Sequence, residues 1–591
     1  MNAHRTPAAR ALPGVFTLVV LLALPTWPGV APAAPPAEPA WVVSPFQPGP
    51  DLPPDGRSLF DELFADQVGP LQLPYPFAAL LEELDALGRC PDLPDGRCVQ
   101  AVLIPLGRSL QRLTASPGFF EKPRIVAAMA GEPDPGRLLR DRLYLGFVEG
   151  SELIEVISYN AAAGRFEFQV VRDYRAGATP RIEYARRAVC VACHQNQAPI
   201  FSRPLWQETN ANPAVAARLG PARDAFHGVR PDRGVDVPRA INNATDRANR
   251  FALWQRLWQD GCTAAPGPGA GGHAGAGSSA QACRATLFEA SLHYRLNRGR
   301  AYPSRLRDLL RPAFAAAQAE HWPGGLALPN SDVPNRDPLR DHGSASDLRM
   351  LGAPLADIPA YFEPLQLRRP SEVWTRLDDS RIDAAVAGLA EFIAPTNSTK
   401  LATLTDAAAP PAESVLAAAI AAMAGDAHGA HFDAGPFRPE RLMPALLARL
   451  GHDVGETDPD DPANGPAPVA AMPIHPPSRA AGPLNHYCGT CHHTPDTSPP
   501  NFLDGDETTV ERKLEQCDQR IRHRLDMWRV AADQRDKTPM PPPQALLAWG
   551  IDPQTWPASP EFAALMAYAD RLGRRRPAAA LAGYETLPAC H

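Results

Sequence analysis

Lysine is nearly missing from this chain: of its 58 basic residues only Lys122, Lys400, Lys513 and Lys537 are not arginine. The formal charge is −7 over 591 residues. No basic stripe of the kind that grips a phosphate backbone is present, which argues against nucleic acid as a partner. Long apolar runs are equally scarce. The one sustained run, residues 15–24, has ten residues, half of the roughly 20 that a hydrocarbon core requires. No stable membrane insertion is expected.

That short run has its own meaning. Arg5 and Arg10 precede it, Pro25 ends it, and Ala31-Pro32-Ala33 offers small residues to a signal peptidase. Residues 1–33 therefore read as a secretory signal, and the expected compartment is the periplasm. Removing them takes away two arginines and no acid, moving the formal charge from −7 to −9.

Proline is plentiful, with 68 residues against 43 glycines, much of it in Pro/Ala-rich runs that read as linkers. The length exceeds the ~250–300 residues at which a single core stops growing. A multidomain, mainly α protein is expected, with residues 34–99 as an N-terminal region, 100–330 as a first cofactor domain, 331–470 as a helical middle with a linker, and 471–591 as a C-terminal domain. Helices are predicted over residues 245–259, 285–297, 373–393, 413–423, 439–450, 507–528 and 560–572 from apolar spacing. Strands are predicted at 143–148, 152–158 and 166–171, the last two joined through Asn160 to Gly164 as a hairpin. They form a β-meander within the first cofactor domain. Residues 455–477, rich in Asp, Pro and Ala, read as the linker.

Ten cysteines in an exported chain call for an accounting. Six pair plausibly by proximity: Cys90 with Cys98, Cys262 with Cys283 around a Gly/Ala-rich loop, and Cys517 with Cys590. The other four fall in Cys190-Val-Ala-Cys193-His194 and Cys488-Gly-Thr-Cys491-His492. Both are C-x-x-C-H, the pattern that attaches a c-type haem: two thiols add to the two vinyl groups at one porphyrin edge, and the next histidine ligates iron. Chance gives on the order of 0.005 such matches in a chain of this composition. A zinc half-site or a dithiol redox pair would use similar residues, but export and the repetition of the whole five-residue pattern favour two covalent haem c groups.

The second motif carries a further resemblance. After His492 come a loop with Pro499-Pro500-Asn501, the predicted helix at 507–528, then Lys537-Thr-Pro-Met540-Pro-Pro-Pro543, then the predicted helix at 560–572. Residues 483–591 resemble a class I cytochrome c domain. The resemblance implies His492 as proximal iron ligand and Met540 as distal ligand, a soft thioether that raises the reduction potential. Met527, inside a helix, is expected in the core. A carbonyl within residues 499–501 is the expected acceptor for His492 Nδ1–H. His493 is expected at the solvent or against a propionate. Residues 473–484 are too Pro/Gly-rich for a long entry helix, so only a short turn is expected before the motif.

For the first motif His194 is the proximal ligand, and the sixth position stays open among His293, His227, Met350 or no ligand. Trp206 is expected to pack on the porphyrin edge. One-electron transfer with a redox partner protein or a small-molecule donor or acceptor is the leading expectation. The alternative rests on a distant architectural similarity to bacterial dihaem cytochrome c peroxidases and the related rubber oxygenases, in which the first haem would be reactive. A structural or sensory role for the haems comes third.

Overall fold

A strand with no polar residue has to be covered on both sides, and Leu143–Phe147 is such a strand. In the computed structural model it lies inside a six-stranded antiparallel sheet. Residues 37–590 are described, apart from 66–70, 72, 89, 108, 132–137, 204–205, 263–275, 335–337, 340–364, 395–412, 427–430, 452–474, 497–498 and 574–583. Residues 1–33, read above as a secretory signal, nearly all of the expected linker and Met350 fall outside the described residues.

The strands run in sequence order: β1 (Val99–Ile104), β2 (Arg124–Met129), β3 (Leu143–Phe147), β4 (Leu153–Asn160), β5 (Arg165–Arg172) and β6 (Arg181–Tyr184). The three expected strands are therefore the middle of a longer meander. Their hairpin closes as predicted, with Asn160 opposite Arg165 and Gly164 at φ +63°, where a side chain would be strained. One face carries Leu103, Ile125, Leu145, Val156 and Val171 and packs on the helices Leu59–Phe64 and Phe77–Ala86. The other face carries Val102, Ala128, Tyr144, Tyr159 and Phe166 and meets the largest core.

Helix α1 (Arg187–Cys193) follows β6 directly. The large core is built from α2 (Asp236–Ala248), α3 (Phe251–Asp260), α4 (Ala276–Leu296), α5 (Ser304–His321), α6 (Asp379–Ala390), α7 (Glu413–Ala424) and α8 (Pro439–Arg449). The helices of the expected middle region share this core with the sheet. Two expectations need revising. The helix predicted at 245–259 is two helices, because the chain turns where the Asn249 amide donates to the Pro329 carbonyl at 3.0 Å. The helix predicted at 373–393 begins only at Asp379, where Asp378 caps it by accepting from the Arg381 amide at 3.0 Å; Glu372–Trp374 instead pairs as a strand with Leu326–Leu328.

The C-terminal region has its own core. It comprises α9 (Leu484–His492), α10 (Glu507–Asp526), α11 (Pro543–Ala548) and α12 (Pro560–Gly573). Val510, Leu514, Cys517, Ile521 and Leu525 are spaced by three and four residues and form the buried stripe of α10, against which α12 sets Phe562, Leu565 and Met566. The entry to the second motif is as short as expected: α9 starts at Leu484, one turn before Cys488, and carries the motif itself. Among the described residues, no helix is long and apolar enough to cross a membrane.

All three expected disulfides are present, and Cys190, Cys193, Cys488 and Cys491 lie outside them. Cys262–Cys283 closes a loop of 21 residues between α3 and α4. Replacing both cysteines by serine is expected to lower unfolding stability by about 3 kcal/mol through the freed entropy of the unfolded chain, measurable as a lower denaturant midpoint.

Candidate haem sites

The first motif lies on a helix of seven residues, α1, too short to persist alone. Its position is set by Arg187, whose side chain is 1% exposed. The guanidinium donates to the Pro48 carbonyl (2.6 Å), the Phe166 carbonyl (2.8 Å), Glu167 Oε2 (3.2 Å) and Gln197 Oε1 (3.0 Å). One side chain thus ties the helix to β5, to the N-terminal segment and to the loop behind the motif. Glu167 is itself fully buried and also paired with Arg165 at 2.8 Å. Val191 packs with Phe168, Val170 and Ala185 beneath the helix.

The loop after His194 explains why a polar run can be buried. Gln195 and Asn196 are 1% and 2% exposed. The Asn196 amide donates to the Pro199 carbonyl at 2.8 Å, and the Gln197 amide to the Ser44 carbonyl at 2.9 Å. The turn brings the Ala198 carbonyl to 2.9 Å from His194 Nδ1. Burial holds the His194 imidazole neutral, its pKa lowered to about 4. With Nδ1–H committed to a carbonyl, Nε2 keeps its lone pair for a metal.

Beside α1 the central strands are not fully covered. Register places Val126, Gly146, Glu155 and Val170 in one row across the sheet. Around that row Ile104, Val126, Leu153 and Ile157 are only half-buried, unusual for the middle of a six-stranded sheet. At Gly146 the space a side chain would take is filled by Arg124 and Glu155. A Cβ there would meet Arg124 Nη2 at 2.3 Å and Glu155 Oε2 at 3.0 Å. Arg124 and Glu155 form an ion pair at 2.5 Å. The sheet face beside Cys190, Cys193 and the neutral His194 is thus partly open and apolar around a single ion pair.

The second motif repeats this chemistry. His492 Nδ1 lies 2.6 Å from the Pro500 carbonyl, within the span expected from sequence, and burial lowers the His492 pKa to about 4. Phe502 stacks on the imidazole with centroids 4.4 Å apart. Lys513 reaches down from α10 and donates to the Asn501 carbonyl (3.1 Å) and the Asp504 carbonyl (2.8 Å), fixing the loop that presents Pro500. Met540 is half-buried; its amide donates to the Arg524 carbonyl at 3.0 Å, and Trp528 Nε1 donates to the Pro541 carbonyl at 3.1 Å. The loop is pinned on both sides of the sulfur. Met527 is buried at 8% exposure but stands outside the core that Trp528 joins. His493 is buried at 6% exposure rather than solvent-facing.

The two motifs meet. Helix α9 packs on α1, with Cys491 Sγ 3.9 Å from the Ala188 carbonyl oxygen. Arg186 donates to the His493 carbonyl at 3.2 Å, and Arg172 pairs with the buried Asp496 at 3.0 Å. Sequence reasoning missed this contact; nothing in a separation from Cys190 to Cys488 signals it. It also missed Arg368, which donates to the Cys193 carbonyl at 2.8 Å.

The remaining candidates lie elsewhere. His293, half-buried on α4, has Glu289 at 4.0 Å one turn away. His227 sits edge-on to Phe77 and Phe147 under the opposite face of the sheet. Trp206, at φ +48°, packs against the large core rather than standing free. Burial pushes the thiols upward, Cys488 to about 12 and Cys491 to about 11, the opposite of what thiol–disulfide exchange uses. Among the described residues, no group of three or more His, Cys, Asp or Glu side chains converges to hold an ion.

Arg187→Met is expected to cost about 3 kcal/mol, because it leaves the Pro48 and Phe166 carbonyls without their donor and takes from the buried Glu167 one of its two arginine partners; a denaturation midpoint measures this. In the haem-free chain, unfolded histidine takes up a proton below its usual value of about 6.5, whereas folded His194 and His492 do so only near about 4. Stability is therefore expected to fall as pH drops from about 6.5 toward about 4, by up to about 3 kcal/mol per histidine. Denaturant titrations of a Cys→Ser variant at pH 7 and pH 5 would register the loss. Compared with models of known protein families, with curated proteins and with solved structures, the chain matches none.

Proposed function

We propose that this chain is an exported c-type cytochrome that holds two covalent haems and passes single electrons between them and a redox partner. One observation carries the reading: two C-x-x-C-H segments distant in sequence are packed side by side, each with its cysteines outside any disulfide and with its histidine Nδ1 beside a backbone carbonyl. Haem iron would supply the one-electron chemistry. The residues of the chain anchor, orient and tune. Cys190, Cys193, Cys488 and Cys491 would form the thioether links, and His194 and His492 would present Nε2 to the metal. The carbonyls of Ala198 and Pro500 fix the imidazole planes and raise ligand basicity. Met540, on a loop pinned by Arg524 and Trp528, would complete the second site without having to be ordered at each redox change.

The succession in residues 483–591 of motif helix, Pro500 loop, long helix, Met540 loop and closing helix supports the class I cytochrome c resemblance. The short path between motifs, through Cys491 and the Ala188 backbone, supports electron passage from one site to the other. The partner would be a periplasmic redox protein or a small-molecule donor or acceptor.

A second reading, a peroxidase- or oxygenase-like enzyme with a reactive first haem, is favoured by the Arg124–Glu155 pair on the half-open sheet face beside the first motif, a potential acid–base group next to a site whose sixth ligand is unassigned.

Mass spectrometry of the mature protein is expected to find two haems, falling to one in Cys190→Ser/Cys193→Ser and in Cys488→Ser/Cys491→Ser. No covalent haem would end the proposal. Met540→Ala is expected to lower the potential of one haem and make that haem bind carbon monoxide, with Met527→Ala leaving both properties unchanged. Peroxide consumption by the native protein, with cyanide binding at one haem, would decide for the second reading.

A further inference from the structure

Behind the first motif runs a strap, residues 365–370, which touches both halves of the molecule. The Leu365 carbonyl accepts from Gln544 Nε2 at 2.7 Å, four residues after Met540. The Gln366 carbonyl accepts from Gln195 Nε2 at 3.0 Å. The Arg368 amide donates back to Gln195 Oε1 at 3.0 Å. Beyond this backbone exchange, the Arg368 side chain is held at two points. Nε donates to the Asn330 carbonyl at 3.2 Å, and Nη2 to the Cys193 carbonyl at 2.8 Å. Nη1 is sealed from solvent and has no acceptor among the described residues.

A guanidinium suits this place because its planar fork serves several acceptors at once while keeping its charge; an ammonium would be a point donor. The nearby carboxylate is Asp332, which is committed to Arg203, and Arg203 also holds Asp246 at 2.6 Å. The positive end of this cluster therefore faces the motif, one residue from His194. Reduction lowers the charge of an iron centre by one, so a fixed cation nearby favours the reduced state. Away from water that influence is weakly screened.

We propose that Arg368 is a positioning residue for the first haem: it clamps the last turn of α1 through the Cys193 carbonyl and places a half-buried positive charge beside His194 that raises the reduction potential of that haem. This rests on the two-haem reading. It adds a direction to it, because raising the first haem biases electrons arriving at the second motif toward the first.

Redox titration of the full-length, haem-loaded protein tests it, with haem content measured in parallel and the two potentials assigned through the Cys190→Ser/Cys193→Ser variant. Arg368→Gln is expected to keep two haems and to lower only the first potential. The electron-sharing constant between the haems should change about tenfold, equal to about 59 mV for one electron. Arg368→Lys should recover most of that shift. Asp332→Asn, which removes the opposing charge, should move the first potential upward. Two outcomes overturn the proposal: an unchanged first potential in a fully loaded Arg368→Gln protein, or Arg368→Gln and Asp332→Asn shifting it in the same direction. Where Arg368→Gln fails to load haem, the Asp332→Asn arm decides, and the absence of an upward shift there rejects the role. A native protein without covalent haem would instead defeat the two-haem reading itself.

Discussion

The first site depends on a buried arginine. A seven-residue helix contributes too few internal hydrogen bonds to hold its own orientation, and the thiols and imidazole it carries need fixed directions. Arg187 supplies them by satisfying carbonyls on three separate segments and a carboxylate that has no exposure. Burying such a pair is costly unless every donor finds an acceptor. Here the four acceptors belong to the segments that must converge for the site to exist. The same guanidinium lies over the Phe168 ring at 5.2 Å, whose edge contacts the His194 imidazole at 5.5 Å. Helix, sheet and ligand are thus set by one group.

The second site reaches a similar result by different means. Lys513, one of only four lysines in the chain, hooks two carbonyls of the loop after the motif, while Phe502 covers the imidazole face. Both sites hand the histidine Nδ1 proton to a main-chain oxygen, at Ala198 in one and Pro500 in the other. Main-chain acceptors cannot titrate, so the tautomer is independent of pH across the physiological range.

The sequence spoke clearly where the chemistry is local. The motif residues, the three disulfide pairs, the carbonyl facing His492, the strands from Leu143 to Arg172 and the helices of the C-terminal region all follow from spacing and residue type over separations of at most 73 positions. It was silent where partners are remote. Strands β1 and β2 were not recognised, because Val99–Ile104 and Arg124–Met129 are short apolar runs without alternation. The packing of α9 on α1, the Arg172–Asp496 pair and the reach of Arg368 to Cys193 join residues separated by more than 170 positions. No periodicity encodes such contacts. For His493 burial excludes the solvent-facing alternative alone, because burial at a helix end depends on what packs there.

The contact between the motif helices also bears on modularity. Residues 484–573 have a core of their own, and on that ground could be mistaken for an exchangeable cassette. Yet Asp496, the His493 carbonyl and Gln544 are each met by a group from the rest of the chain: Arg172, Arg186 and the Leu365 carbonyl. Transplanting the cassette, or joining either half to an unrelated protein, would leave those polar groups facing water or foreign surface. The stability of either half is therefore tied to these polar contacts with the other.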